Sequence, residues 1–247
     1  MTEVYAIKLL EEATFEKLRP ELLKLLPAQT CNKVNAFHHS NDSQRSLLGE
    51  LLARQLLKKA TGGPLPHEAF MPGEKGKPAH QGIQGVHFNI THSGEWVAVA
   101  ISSNHVGVDV EKIRRIPDGV ARRFFSELEN QWLDAAKNED ERKEIFFTLW
   151  TLKESFLKAI GKGLTKSLSS FTILQKENHE FVLEQDEETL GYHLHTYPFR
   201  EGYKLSVCAK NKAFKQEVSI LKIKDLIENN TESYERKTHG LGLNAED

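Results

Sequence analysis

The segment Gly107-Val108-Asp109-Val110-Glu111-Lys112 sets two carboxylates two residues apart among valines. On a strand, side chains alternate, so Asp109 and Glu111 share one face while Val108 and Val110 point to the other. Carboxylates about 7 Å apart on one face repel unless a cation or water lies between them. Hard oxygen ligands on a rigid strand suit Mg²⁺, which takes one or two carboxylates together with the phosphates of a substrate. An edge strand with a solvated polar face carries the same pattern, so this segment alone does not choose.

A second segment, Trp150-Thr151-Leu152-Lys153-Glu154-Ser155-Phe156-Leu157-Lys158, has helical spacing. Glu154 and Lys158 are four apart and share one face, either as an ordinary surface ion pair or as a carboxylate and an ammonium aimed at a metal and a phosphoryl oxygen. A third, Phe88-Asn89-Ile90-Thr91-His92-Ser93-Gly94, reads as a strand entering a turn. His92 there can donate to a phosphate or serve a reaction, or be a turn histidine with no role. Ser93 as a nucleophile has little support, because no GxSxG elbow is present. Gly76-Lys77-Pro78 places a lysine in a Gly/Pro-rich loop that suits an anion, and Arg45 opens a helix.

These residues need elements to hold them. Val4 to Ile7 reads as a strand and Phe15 to Leu26 as an amphipathic helix. A stronger helix follows, capped by Asp42 or Ser43, with Leu47, Leu48, Leu51, Leu52 and Leu56 at helical spacing until Gly62-Gly63-Pro64 stops it. Residues 62 to 85 read as loop. Strands are expected at 86–90, 96–101 and 106–110, joined by turn residues into an antiparallel meander. One helix is expected over 117–136, a loop or helix start over 138–143, and another helix over 146–160, closed by Gly161 and Gly163. Shorter strands are expected at 171–174, 180–183, 192–196 and 203–209. The order predicts an α+β protein of two halves, 1–105 and 106–227, with a polar, disordered tail at 228–247.

The bulk numbers fit a soluble globular chain. Of 247 residues, 39% are hydrophobic and 28% charged, and the formal net charge is -2. That balance gives no global attraction to nucleic acid or an anionic membrane. Cys31 and Cys208 lie in no CxxC pattern, which speaks against zinc or a disulfide framework. Glu3, Lys8, Glu11 and Glu12 break any signal-peptide core, and no run reaches the roughly 20 apolar residues of a membrane span, so a cytoplasmic protein is expected.

Taken in order, these segments resemble the Sfp-type 4'-phosphopantetheinyl transferases. The resemblance rests on Gly107-Val108-Asp109-Val110-Glu111 followed by Trp150-Thr151-Leu152-Lys153-Glu154-Ser155-Phe156-Leu157-Lys158. It extends to Gly76-Lys77-Pro78, to the strand-turn at 88–94 and to Arg122-Arg123-Phe124-Phe125-Ser126. It implies two pseudo-symmetric α/β halves with the active site in the cleft between them. It implies Mg²⁺ held by Asp109, Glu111 and Glu154, and coenzyme A as co-substrate, met by Lys33, Arg45, Ser46, Lys77, Thr91, His92, Asp109, Lys153 and Lys158. Thr30 stands where the family often has a second lysine, which bears on the grip on the 3'-phosphate.

The implied reaction is attack of a serine hydroxyl, on an acyl or peptidyl carrier protein, at the β-phosphorus of coenzyme A, with adenosine 3',5'-bisphosphate leaving. Glu154 would take the serine proton, directly or through a bound water, and Lys158 would offset phosphoryl charge. Activation of peptide, polyketide or fatty acid synthases follows, and with it a link to non-ribosomal peptide and antibiotic synthesis. Arg115, Arg122 and Phe124 lie in a basic and aromatic stretch that would dock the acidic carrier. A monomer is implied. A magnesium-dependent hydrolase or other transferase acting on a polyphosphate ester would share the carboxylates without needing a carrier surface. A non-catalytic binding module would be expected to lose one of Asp109, Glu111, Glu154 or Lys158, and all four are present.

Overall fold

Alternation along the strands decides the layering. The computed structural model describes residues 1–63, 65, 85–161, 165–177, 180–184, 187 and 189–228. Strand β1 (Thr2–Lys8) turns Tyr5 and Ile7 to a helical core and Val4 and Ala6 to the opposite side. Strand β3 (Trp96–Ser102) does the same, with Val97, Val99 and Ile101 against helices and Trp96, Ala98 and Ala100 behind. Helices α1 (Glu12–Lys24), α2 (Ala28–Asn35) and α3 (Ser40–Thr61) cover the first face. A sheet with β2 (His87–Ser93), β3, β1 and the late strand β9 (Ser219–Leu221) in that order forms the first half.

The second half repeats the plan. Strand β4 (Val106–Lys112) is followed by α4 (Val120–Phe124), α5 (Glu127–Asp134) and α6 (Glu139–Ile160), then by the ribbon β5 (Ile173–Gln175) and β6 (Phe181–Leu183), and by β7 (His193–Tyr197) and β8 (Tyr203–Ala209). Its sheet order is β4-β8-β7, all antiparallel, matching β1-β3-β2 of the first half. Both long helices, α3 and α6, run 22 residues and end at a left-handed glycine, Gly62 and Gly161. The sequence itself shows no repeat sharp enough to reveal this.

The two sheets meet through their backs. Val106, Val108 and Val110 of β4 and Leu205, Val207 and Ala209 of β8 pack on Val4, Ala6, Trp96, Ala98 and Ala100. Small residues at the contact let two apolar faces approach closely. Along one edge, β2 and β4 are joined by side chains. Val108, Val110 and Lys112 each donate a backbone N–H, to Asn89 Oδ1 (2.9 Å), Thr91 Oγ1 (3.4 Å) and Ser93 Oγ (3.1 Å) respectively.

Several expectations need correction. The meander ends at β3, because β4 pairs with β8 and founds the other sheet. The single helix expected over 117–136 is two, split at Ser126. Ser126 and Glu129 form a capping box that starts α5 afresh. The segment 138–143, open between loop and helix start, is the start of α6 at Glu139, with Asn138 Oδ1 accepting from Glu141 N at 2.9 Å. The segment after 209, assigned to the second half, returns to the first. Residues Ala213 and Lys215 bond to Thr2, β9 pairs in parallel with β1, and Leu226 is fully buried in the first core. Residues 229–247, most of the expected tail, lie outside the described residues, as does nearly all of the loop expected at 62–85.

Candidate active site in the cleft between the halves

Helix α6 crosses the outer face of β4, opposite the valines, at a point where no side chain fits. A Cβ built on Gly107 would sit 2.1 Å from the Ser155 carbonyl oxygen and 2.4 Å from the Ala159 nitrogen. Glycine there is a packing requirement, and it lets Lys158 reach β4. Trp150, Glu154 and Lys158, at i, i+4 and i+8, form one face of α6. With Ile90, Thr91 and His92 of β2 and Asp109 and Glu111 of β4, they line a cavity of about 330 Å³.

Lys158 is the hub. Its Nζ lies 2.5 Å from Asp109 Oδ1, 3.1 Å from the Val108 carbonyl oxygen and 3.2 Å from Thr91 Oγ1. Thr91 Oγ1 donates to Asp109 Oδ1 at 3.1 Å. Asp109 is 4% exposed, and its second oxygen, Oδ2, has no hydrogen-bond partner among the described residues. Burial pushes the Asp109 carboxyl above the usual range, against the pull of Lys158 and Thr91. Glu111 is raised as well, chiefly by burial and also by Asp109, while Ser93 opposes the shift by donating to Oε2 at 2.7 Å. His92 stands at the mouth, pushed below the ordinary imidazole value by desolvation first and by Arg45 and Lys158 next.

The donor set fits a hard divalent cation. A buried carboxylate oxygen without a partner is costly unless a cation or donor meets it. Asp109, Glu111 and Glu154 line one cavity, yet among the described residues no three His, Cys, Asp or Glu side chains gather closely enough to hold one ion. Two strand carboxylates plus substrate phosphates suffice for Mg²⁺, so Asp109 and Glu111 qualify, with Glu154 near at hand.

The other sequence candidates separate into groups. Arg45 is tied by Nε and Nη2 to the Gly94 carbonyl oxygen (3.1 and 2.7 Å) and by Nη1 to Asp42 (2.8 Å). With Glu12, His39, Ser40, Asn41 and Asp42 it lines a second cavity of about 360 Å³. Ser46 is half-buried on α3 and Lys33 is exposed on α2. Thr30 donates to Glu50 at 2.7 Å. Lys77 lies outside the described residues.

Lys153 is a correction. It is fully buried, pairs with Glu129 Oε2 at 2.8 Å and donates to the carbonyl oxygens of Leu168 (2.8 Å) and Phe171 (2.6 Å). It therefore faces the second core, away from the cleft. Trp150, not assigned a role from the sequence, does line the cavity, stacked on Phe146 and met edge-on by Phe124. Asn89 and Ser93 were missed as ties between the halves. The signal was their spacing, since polar residues at 89, 91 and 93 alternate with Phe88 and Ile90. Of the docking candidates, Arg115 is 85% exposed in its side chain, Arg122 pairs with Asp134 at 2.5 Å, and Phe124 lies under the Arg123 guanidinium.

Two family models match the chain in tandem. One, described as 4'-phosphopantetheinyl transferase, N-terminal, matches residues 16–104, and the other, the 4'-phosphopantetheinyl transferase superfamily, residues 105–208. Their join falls in the turn between β3 and β4, where one sheet gives way to the other. The chain is 35% identical over 207 residues to the 4'-phosphopantetheinyl transferase ffp of Bacillus subtilis, covering 83% of this chain and 92% of that protein. It is 35% identical to the 4'-phosphopantetheinyl transferase Sfp of Bacillus subtilis strain 168, covering 79% and 87%. It is 40% identical over 168 residues to the 4'-phosphopantetheinyl transferase gsp of Aneurinibacillus migulanus, covering 68% and 69%. The chain belongs to the 4'-phosphopantetheinyl transferase superfamily.

Proposed function

We propose that this protein transfers the 4'-phosphopantetheine arm of coenzyme A to a serine of an apo acyl or peptidyl carrier protein. The observation that carries the reading is the Lys158–Asp109–Thr91 cluster in the cleft, beside Glu111 and Glu154, in a chain of this superfamily. Asp109 and Glu111 would hold Mg²⁺ together with phosphate oxygens of the substrate, with Glu154 lining the same cavity, and the ion when bound would neutralise charge on the pyrophosphate. Lys158 would exchange part of its contact with Asp109 for a phosphoryl oxygen as substrate enters. Glu154, half-buried one turn from Lys158, would accept the serine proton directly or through a water. Neutral His92 would keep one N–H to donate to a phosphate. Arg45, held by the turn carbonyl of Gly94, would present its remaining N–H groups toward the nucleotide end, and Ser46, Lys33 and Lys77 would add contacts to coenzyme A.

The leaving group would be adenosine 3',5'-bisphosphate. Because little covalent work falls to protein groups in such a transfer, alignment and charge carry the rate. Arg115, Arg122 and Phe124 would receive the carrier. We place the protein in the cytoplasm as a monomer; both cysteines are free, and no helix among the described residues is long and apolar enough to cross a membrane. Incubation with coenzyme A and Mg²⁺ without a carrier separates this reading from the hydrolase. The transferase releases bisphosphate only when apo carrier is added, whereas release without carrier would show a hydrolase.

A further inference from the structure

We propose that Ser93 is a positioning residue for Glu111, holding its carboxylate so that one oxygen stays directed at the cation site. This rests on the reading of Asp109 and Glu111 as ligands of a divalent cation, and goes beyond it by giving a role to a residue on the opposite half of the molecule. Ser93 sits at the end of β2 and Glu111 near the end of β4, in different sheets. The serine hydroxyl has two defined contacts. Its oxygen accepts from Lys112 N–H at 3.1 Å, and its proton is given to Glu111 Oε2 at 2.7 Å. The two contacts use the hydroxyl once as acceptor and once as donor.

The same arrangement recurs one repeat earlier. Thr91 Oγ1 accepts from Val110 N–H and donates to Asp109 Oδ1. Two repeats earlier, Asn89 Oδ1 accepts from Val108 N–H, and the residue that would follow the pattern, Gly107, has no side chain to hold. Strand β2 thus presents a strip of three side chains that tie β4 in register, and the two nearest the cavity each also fix one carboxylate. A carboxylate that accepts one directed hydrogen bond loses rotational freedom about its last torsion and leaves its other oxygen free for a cation. Groups that orient metal ligands in this way commonly change affinity by about tenfold to a hundredfold when removed.

Asn89 supplies the control, because it joins the strands without touching a carboxylate. Mn²⁺ binding, read by the loss of the free-ion electron paramagnetic resonance signal, is measured on the wild-type chain and on Ser93→Ala, Ser93→Thr and Asn89→Ala, with thermal melts of each. The expected result is a Mn²⁺ Kd raised about tenfold in Ser93→Ala, restored to within about threefold by the hydroxyl of Ser93→Thr, and unchanged in Asn89→Ala despite its lower Tm. Should Ser93→Ala not fold, Ser93→Cys, near in size and a weak donor, carries the same expectation of weakened binding. Wild-type affinity in Ser93→Ala or Ser93→Cys overturns the positioning role and leaves the proposed reaction untouched. A wild-type chain that binds no Mn²⁺, with or without coenzyme A, overturns the cation reading itself and this inference with it.

Discussion

Lys158 Nζ lies 2.5 Å from Asp109 Oδ1, while Asp109 Oδ2 meets no hydrogen-bond partner among the described residues. One buried carboxylate thus has its first oxygen committed to an ammonium from the second half's long helix and its second available to a cation. The pair lies at the crossing that Gly107 makes possible.

Removing one partner of such a pair leaves an uncompensated charge. Lys158→Met is expected to lower stability by about 3 kcal/mol in urea unfolding, because Asp109 stays buried. Adding Asp109→Asn to the same chain should return most of that loss, with activity absent in both. A single variant as stable as the wild type would show that the contact carries no weight in the fold.

Lys153 gives a contrasting case. Lys153→Met leaves Glu129 buried without its ion partner, so a loss of about 3–5 kcal/mol is expected. In protein still folded at low temperature, KM for coenzyme A should be that of the wild type, since Lys153 does not reach the cleft. A selective rise in that KM, without a fall in Tm, would contradict the placement.

The histidines set a pH dependence. His87, His92, His193 and His195 are all held below the ordinary imidazole value, mainly by desolvation. The unfolded chain therefore binds more protons in this range, and the stability these groups contribute is present above about pH 6.5 and lost as pH falls through it. Asp109 and Glu111, raised by burial, act oppositely, since protonation relieves a buried charge as pH falls. His195, stacked on Phe214 with ring centroids 5.2 Å apart, isolates one contribution. Between about pH 7.5 and about pH 5.5, the Tm of His195→Gln should fall less than that of the wild type. Parallel curves would contradict the assignment.

Arg115 projects from the loop after β4 with little to hold it beyond Asp118 at 3.7 Å. Exposed charges at an interface rim act mainly on encounter and partner choice. Arg115→Glu should raise KM for the carrier severalfold and leave coenzyme A affinity unchanged. A parallel loss of both would argue against docking at this loop.

Much of this was legible in the residues. The alternation at 106–112 and the i, i+4 spacing of Glu154 and Lys158 give the local geometry, and the ordered motifs give the family. Lys153 shows where a motif misleads and periodicity does not. It shares the buried side of α6 with Leu149, Phe156 and Leu157, while 150, 154 and 158 form the cleft face. What local pattern does not hold is partner choice. Ser103 to His105 is a turn in either case, and only packing of β4 on β8 and α6 makes it a crossing between sheets. The return of β9 to β1 is equally non-local, a three-residue strand with too short a pattern to show its partner.

The central claim is tested most directly by intact-mass spectrometry of an apo peptidyl carrier protein incubated with this protein, coenzyme A and Mg²⁺, beside an Asp109→Ala control. The account predicts a gain of one phosphopantetheine on the carrier, absent in the control. No gain across several peptidyl and acyl carriers, or an equal gain with Asp109→Ala, would contradict it.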